Sequence, residues 1–174
     1  DGEAILSFTN ASSMGIDINY DSDVEIAGFQ FDVNGVDETD ASGGAAAAAG
    51  FMLTCGPTTC VGFSITGATI PAGSGTLLSL TFEESSQDQE LEVSNVVISD
   101  SAGNNIYGSG PGIEEIPPCN NADCAGDCNG FAVEDECGIC NGAGATDGLC
   151  PDGTPLLFQY NQSIQQAFYF ISEV

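Results

Sequence analysis

No lysine, arginine or histidine occurs in this chain of 174 residues, and no tryptophan. Without cations nothing can neutralise a phosphate backbone or an anionic headgroup. Nucleic acid and membrane surfaces are therefore excluded as partners. A serine or cysteine nucleophile has no histidine or lysine to activate it, and phosphoryl transfer has neither a P-loop nor a cation. A carboxylate pair of the glycosidase kind remains, but with 26 acids any two could stand at that distance and the spacing singles out none. The expectation is a protein that is not an enzyme. Trypsin-like proteases also find nothing to cut. No apolar run approaches the ~20 residues of a membrane-spanning helix, so no membrane insertion is expected. No basic n-region marks a signal peptide. The chain starts at Asp1 in mid-pattern, as a processed subunit or as a segment of something longer.

What is present is equally lopsided. The 26 acids give a formal net charge of −26, where average composition supplies about 20 basic residues in a chain of this size. Such a surface suits solubility and the binding of divalent cations. Hydrophobic residues make up 42% of the chain, enough to bury a core. Eight cysteines, an even number set among small and acidic residues, argue for disulfides and an extracellular or cell-surface location. Zinc would have to be bound by thiolates alone, and no clean Cys₄ spacing is present.

Residues 1 to 110 carry period-2 alternation again and again, within a β-domain expected over residues 1 to 116. Ala4, Leu6 and Phe8 alternate with Ile5, Ser7 and Thr9; Met14, Ile16, Ile18 and Tyr20 alternate with Gly15, Asp17 and Asn19. In VEIAGFQFDV, Ala27, Phe29, Phe31 and Val33 share one face and Gln30 and Asp32 the other. Further short strands are expected at MLTC, Val61 to Ile65, Leu78-Leu80-Phe82, Leu91 to Ser99 and Asn105 to Tyr107. Asn34-Gly35 is a turn signal, and ASGGAAAAAG is the one helical candidate. About eight or nine strands between Gly, Asn, Asp and Pro turns predict an all-β sandwich. Cys55 and Cys60 enclose GPTT, which predicts a local hairpin disulfide closing too short a loop to add much stability.

Residues 117 to 153 are of another kind. Cys119, Cys124, Cys128, Cys137, Cys140 and Cys150 follow the spacing C-x4-C-x3-C-x8-C-x2-C-x9-C. A glycine-rich stretch of this length builds no core and must be stapled. Six cysteines allow fifteen pairings, among which the spacing does not choose. Between them Asp123, Asp127, Asn129, Glu134, Asp135, Glu136, Asp147 and Asp152 offer hard oxygens of the sort calcium takes, set against a simply solvated acidic spacer. Neither the EF-hand loop nor the acidic repeat of thrombospondin-like proteins is matched. Asp17, Asp21 and Asp23, around DINYDSD, form a second candidate calcium site.

Residues 154 to 174 form an apolar tail with no domain of its own. Phe158, Tyr160, Ile164, Phe168 and Phe170 read as one face of an extended strand, with Leu157 a further donor-strand candidate, and AFYFI is apolar on both faces. A strand so apolar left in water aggregates. It folds back onto its own sandwich, opens a further domain, or is donated to a neighbouring copy, and the last is the favoured expectation. Asn10-Ala11-Ser12 and Asn161-Gln162-Ser163 are N-glycosylation sequons, so glycans on Asn10 and Asn161 are candidates.

VEIAGFQFDV, PAGSGTLLSLTFE and VVISDSAGNNI together resemble the cohesin-like jelly-roll family. DCAGDCNGFAVEDECGICNG resembles a Cys-rich connector of modular secreted proteins of aquatic bacteria, and QYNQSIQQAFYFI resembles the opening strand of a further β-domain. The resemblance implies a β-sandwich in a secreted modular protein. Cohesins proper bind dockerins on scaffold proteins, but no motif here marks a dockerin surface and that role is not carried over. The expected function is a structural subunit of an extracellular filament, in which identical subunits polymerise head to tail by strand donation. The alternative is a cohesin-like or carbohydrate-binding module of a large adhesin or scaffold.

Overall fold

The computed structural model describes residues 2–37 and 39–158. It divides into two compact units, residues 1–121 and 122–174. The first is all β apart from a single helical turn. Its strands are β1 (Ala4–Ser12), β2 (Gly15–Ser22), β3 (Gly28–Asn34), β4 (Asp40–Ser42), β5 (Met52–Cys55), β6 (Thr59–Phe63), β7 (Gly73–Thr81), β8 (Gln89–Ser99), β9 (Tyr107–Ser109) and β10 (Gly112–Ile116), with α1 (Gly44–Ala48) between β4 and β5. They form two five-stranded sheets, ordered β4-β7-β2-β1-β9 and β10-β8-β3-β6-β5. Every pairing is antiparallel except β1 with β9. The sandwich expected from the alternation is the fold observed.

The alternation places the core. Ala4, Leu6, Ile16, Ile18, Tyr20, Phe29, Phe31 and Val33 are buried between the sheets, each from the apolar phase of its strand. Phe29 stacks on Phe31 and on Phe51, with ring centroids 6.0 and 6.1 Å apart. Two bulges keep the phase where the sequence breaks it. In β7, Ile18 and Asn19 of β2 face Leu78 and Thr76, so Leu77 is the extra residue and both leucines are buried. In β8, Gln30 and Asp32 of β3 face Val97 and Ser94, and Asn95 takes the left-handed conformation with φ 49. Leu91 and Val93 point inward before this bulge, Val96 and Ile98 after it. Val97 is thereby turned outward.

Chain segments cross both long sides of the sandwich. On one, α1 packs against β7 and β5, with Ala46 fully buried. On the other, the chain crosses from β9, which pairs with β1, to β10, which pairs with β8. The sandwich also extends beyond the boundary expected at residue 116: Cys119 is buried and its N–H donates to Ser85 O at 2.9 Å.

The second unit is built on turns, with isolated β-bridges and a 3₁₀ turn at Leu156–Phe158. Disulfides join Cys124 to Cys140 and Cys137 to Cys150. Residues 123–132 and 135–144 are two copies of one loop, offset by twelve residues. Asp123 accepts hydrogen bonds from the N–H groups of Ala125, Asp127 and Ala132, and Asp135 from those of Cys137, Ile139 and Gly144. Asn129 and Asn141, also twelve apart, both hold the left-handed conformation, at φ 56 and 54.

Candidate functional site

The two outer faces of the sandwich differ in chemistry. That of the first sheet is polar. Asp17 accepts from Ser79 Oγ at 2.5 Å and from Asn10 Nδ2 at 2.7 Å, and Asn19 Nδ2 donates to Thr9 Oγ1 at 2.7 Å. These donors, Ser79 first, hold the Asp17 carboxyl below its usual value. Asp17 and Asp21 stand four residues apart on one strand, about 13 Å at ~3.3 Å per residue, too far to share an ion. Asp23 instead caps the Glu3 N–H at 2.7 Å. The candidate acceptor Asn10 is exposed at φ 56 with its amide donated to Asp17.

The outer face of the second sheet is divided. At one end Asp32 accepts from Thr59 Oγ1 at 2.6 Å and from Asn95 Nδ2 at 2.8 Å, which lowers its pKa, Thr59 contributing most. At the other end the surface is apolar. Phe63, Val97 and Met52 are 43%, 46% and 50% exposed. They flank a shallow depression of about 280 Å³ lined by Gly28, Gln30, Val61, Phe63, Val97 and Ser99. Gly28 faces outward and has no side chain to fill it. Beneath, the ring of Phe29 occupies the space that a Cβ on Gly62 would need. Residues 41–82, which supply β5 and β6 of this sheet, hold no acid.

These patch residues were not singled out from the sequence. Val61 and Phe63 fall in Val61 to Ile65, which reads only as a short strand. The available signal was that β6 is apolar on both faces while β3 and β8 are polar on their outer one. Val97 was invisible until the bulge at Asn95 turned it outward.

In the second unit the candidate calcium ligands do not converge. Asp123 and Asp135 each accept three backbone N–H groups, and these lower their pKa, the Ala132 and Ile139 amides contributing most. Glu136 Oε1 accepts from Ala145 N at 3.2 Å, and Asp152 Oδ1 from Thr154 N at 2.9 Å. Asp127, Asn129, Glu134 and Asp147 are exposed. Among the described residues no three metal-ligating side chains come together. Phe131, at 95%, and Val133, at 70%, are the most exposed apolar residues of this loop pair. The donor-strand candidates Tyr160, Ile164, Phe168 and Phe170 and the second sequon at Asn161 lie outside the described residues. Of the others, Leu157 is exposed.

Cys55 and Cys60 pair across β5 and β6 with Cα atoms 4.0 Å apart, the local hairpin bridge expected. No cysteine is free, as an oxidising, extracellular setting requires. No described helix is long and apolar enough to cross a membrane.

No family model matches the sequence, and no curated protein does. The fold is similar to solved cohesins. A non-cellulosomal cohesin from the hyperthermophilic archaeon Archaeoglobus fulgidus has 13% identity and a TM-score of 0.47, over 67% of this chain and 91% of that one. A cohesin in a type I cohesin–dockerin complex from Clostridium thermocellum has 11% identity and a TM-score of 0.48, over 67% of this chain and 94% of that one. At these values the likeness is one of fold, and it assigns neither a partner nor a site.

Proposed function

We propose that this chain is a non-catalytic, protein-binding β-sandwich module of an extracellular assembly. The observation that carries this reading is the exposed apolar end of the second sheet, formed by Val61, Phe63, Val97 and Met52 around a depression. Contiguous exposed apolar surface on an otherwise acidic protein marks a site of association. Its occupant is an apolar, uncharged or basic protein segment, because a second acidic surface is repelled.

The form of assembly put forward is a filament of identical subunits. Each copy contributes the sandwich, the disulfide-stapled unit as spacer and its apolar C-terminal strand as the link to the next. The uncharged, apolar pattern of residues 155–171 supports this. With −26 on every copy, close packing needs counter-ions, and calcium is the ion that dispersed carboxylates suit.

Electron microscopy and light scattering of the full chain test the reading. Fibres, or a mass that grows with concentration, are expected, with Phe63→Asp impairing growth while circular dichroism stays unchanged. Monomers at every concentration and calcium level refute the filament. Binding to a dockerin-type partner at the same face, lost in Phe63→Asp, then establishes the second reading, a cohesin-like module of a larger adhesin or scaffold. The same face and fold favour that reading.

A further inference from the structure

The sandwich has four edge strands, and three are protected. Edges invite pairing with foreign strands, and proteins blunt them by shortness or by charge. β4 and β9 have three residues each. β10 carries Glu114 and Glu115, and Glu115 already stands opposite Glu90. β5, Met52-Leu53-Thr54-Cys55, has neither defence: it is uncharged and ends its sheet.

The register shows which of its groups face outward. Gly56 N donates to Thr59 O at 2.8 Å, which makes this the hydrogen-bonded pair that closes the hairpin. Antiparallel pairs alternate, so Cys55–Cys60 and Leu53–Gly62 are non-hydrogen-bonded pairs. The N–H and C=O groups of Leu53 and Cys55 therefore point away from β6, into the open edge. Met52 is cross-strand from Phe63, so the edge runs beside the apolar patch.

The occupant is constrained by charge. A second copy approaches with −26 on it, and only an uncharged segment can lie along β5 without bringing a carboxylate into an apolar contact. Residues 153–172 hold no acid, although acids occur at 26 of 174 positions overall, and they alternate Gln, Tyr, Ile, Ala and Phe in strand-forming fashion. The geometry points to β5 as the acceptor of a β-augmentation in which the C-terminal segment, residues 155–171, of a neighbouring copy adds as a sixth strand to the second sheet and covers Met52 and Phe63. This rests on the assembly reading and names its joint.

The test uses the full chain. Leu53→Pro removes an outward N–H that the β5–β6 ladder does not use, as proline on an edge permits. Thr54→Glu places a charge on the same edge from an exposed position. Phe168→Glu does so on the donor. Each is expected to raise the critical concentration for assembly about tenfold or more, the equivalent of one or two edge hydrogen bonds. Amide exchange at Leu53 and Cys55 should be slow in the assembled state and fast in the dispersed one. A photo-crosslinker at position 54, in a mixture of ¹⁴N and ¹⁵N copies, should capture residues 155–171 of the other isotope, read after Glu-specific digestion. If the parent assembles and Thr54→Glu and Leu53→Pro assemble equally well, the β5 joint is refuted and the assembly reading stands. A crosslink confined to one isotope shows fold-back and refutes donation between copies. A parent that never assembles removes the assembly reading itself.

Discussion

Gly62 is the position where a single methyl group should be felt most sharply. It lies in β6 with its absent side chain directed at the core, where a Cβ would fall within the van der Waals envelope of the Phe29 ring. Phe29 cannot simply swing away, because it is buried and stacked between Phe31 and Phe51. Relief of the clash requires the ring to move by roughly an ångström or leave its rotamer, and overpacking of this kind costs about 1–3 kcal/mol. Gly62→Ala should therefore lower the melting temperature of the sandwich by about 4–12 °C, taking roughly 4 °C per kcal/mol for a unit of this size. Phe29→Leu alone should cost about 1–2 kcal/mol from the cavity it leaves. In the double variant the alanine methyl occupies part of that cavity, so the two changes should offset each other by about 1–2 kcal/mol. Calorimetry with disulfides intact measures all three. The reasoning fails if Gly62→Ala melts with the parent, or if the two costs add.

Other outcomes follow from the same structure. Asp123 and Asp135 have depressed pKa values, so their stabilisation is present above the unfolded value of about 3.9 and is lost as pH falls through the folded values; Asp135→Asn should flatten this acid dependence, and protection of the Ile139 and Gly144 amides from exchange should report it. Reduction should disorder residues 122–158 while the sandwich persists, since the latter has its own core and its Cys55–Cys60 bridge closes a short loop; Asp- and Glu-specific proteolysis with and without reductant distinguishes the two, and equal loss of both units contradicts it. Chelator at low ionic strength should loosen the proposed fibres, and fibres unchanged by it rule out calcium as their counter-ion.

Much of this fold was legible because strands carry their burial in a period of two. Ala4 with Leu6, Ile16 with Ile18, and Phe29 with Phe31 and Val33 identify their inner faces without reference to any partner. The hairpin disulfide was equally local, its cysteines five positions apart across a turn. Less legible was Leu91 to Ser99, which reads as one strand although its apolar residues fall at 91, 93, 96 and 98. The resemblance to cohesin-like sandwiches pointed to the observed architecture, but the stretches quoted for it, though they include Gly28 and Val97, do not single out the apolar patch. The candidate calcium ligands stay apart for a physical reason. An aspartate suited to an ion is equally suited to three backbone N–H groups, and in glycine-rich loops the backbone is nearer.

Composition and periodicity alone determined that this chain is strongly acidic, lacks a histidine or lysine base, is stapled by disulfides and is folded as a β-sandwich. Those properties are sums over residues or patterns within one strand. Only the tertiary structure decided which strands are edges, that Val61, Phe63 and Val97 meet on one exposed face, that Cys124 joins Cys140, and that β5 alone is left unguarded. Each of these depends on pairings between residues far apart in the chain, and no local pattern encodes which strand will lie beside which.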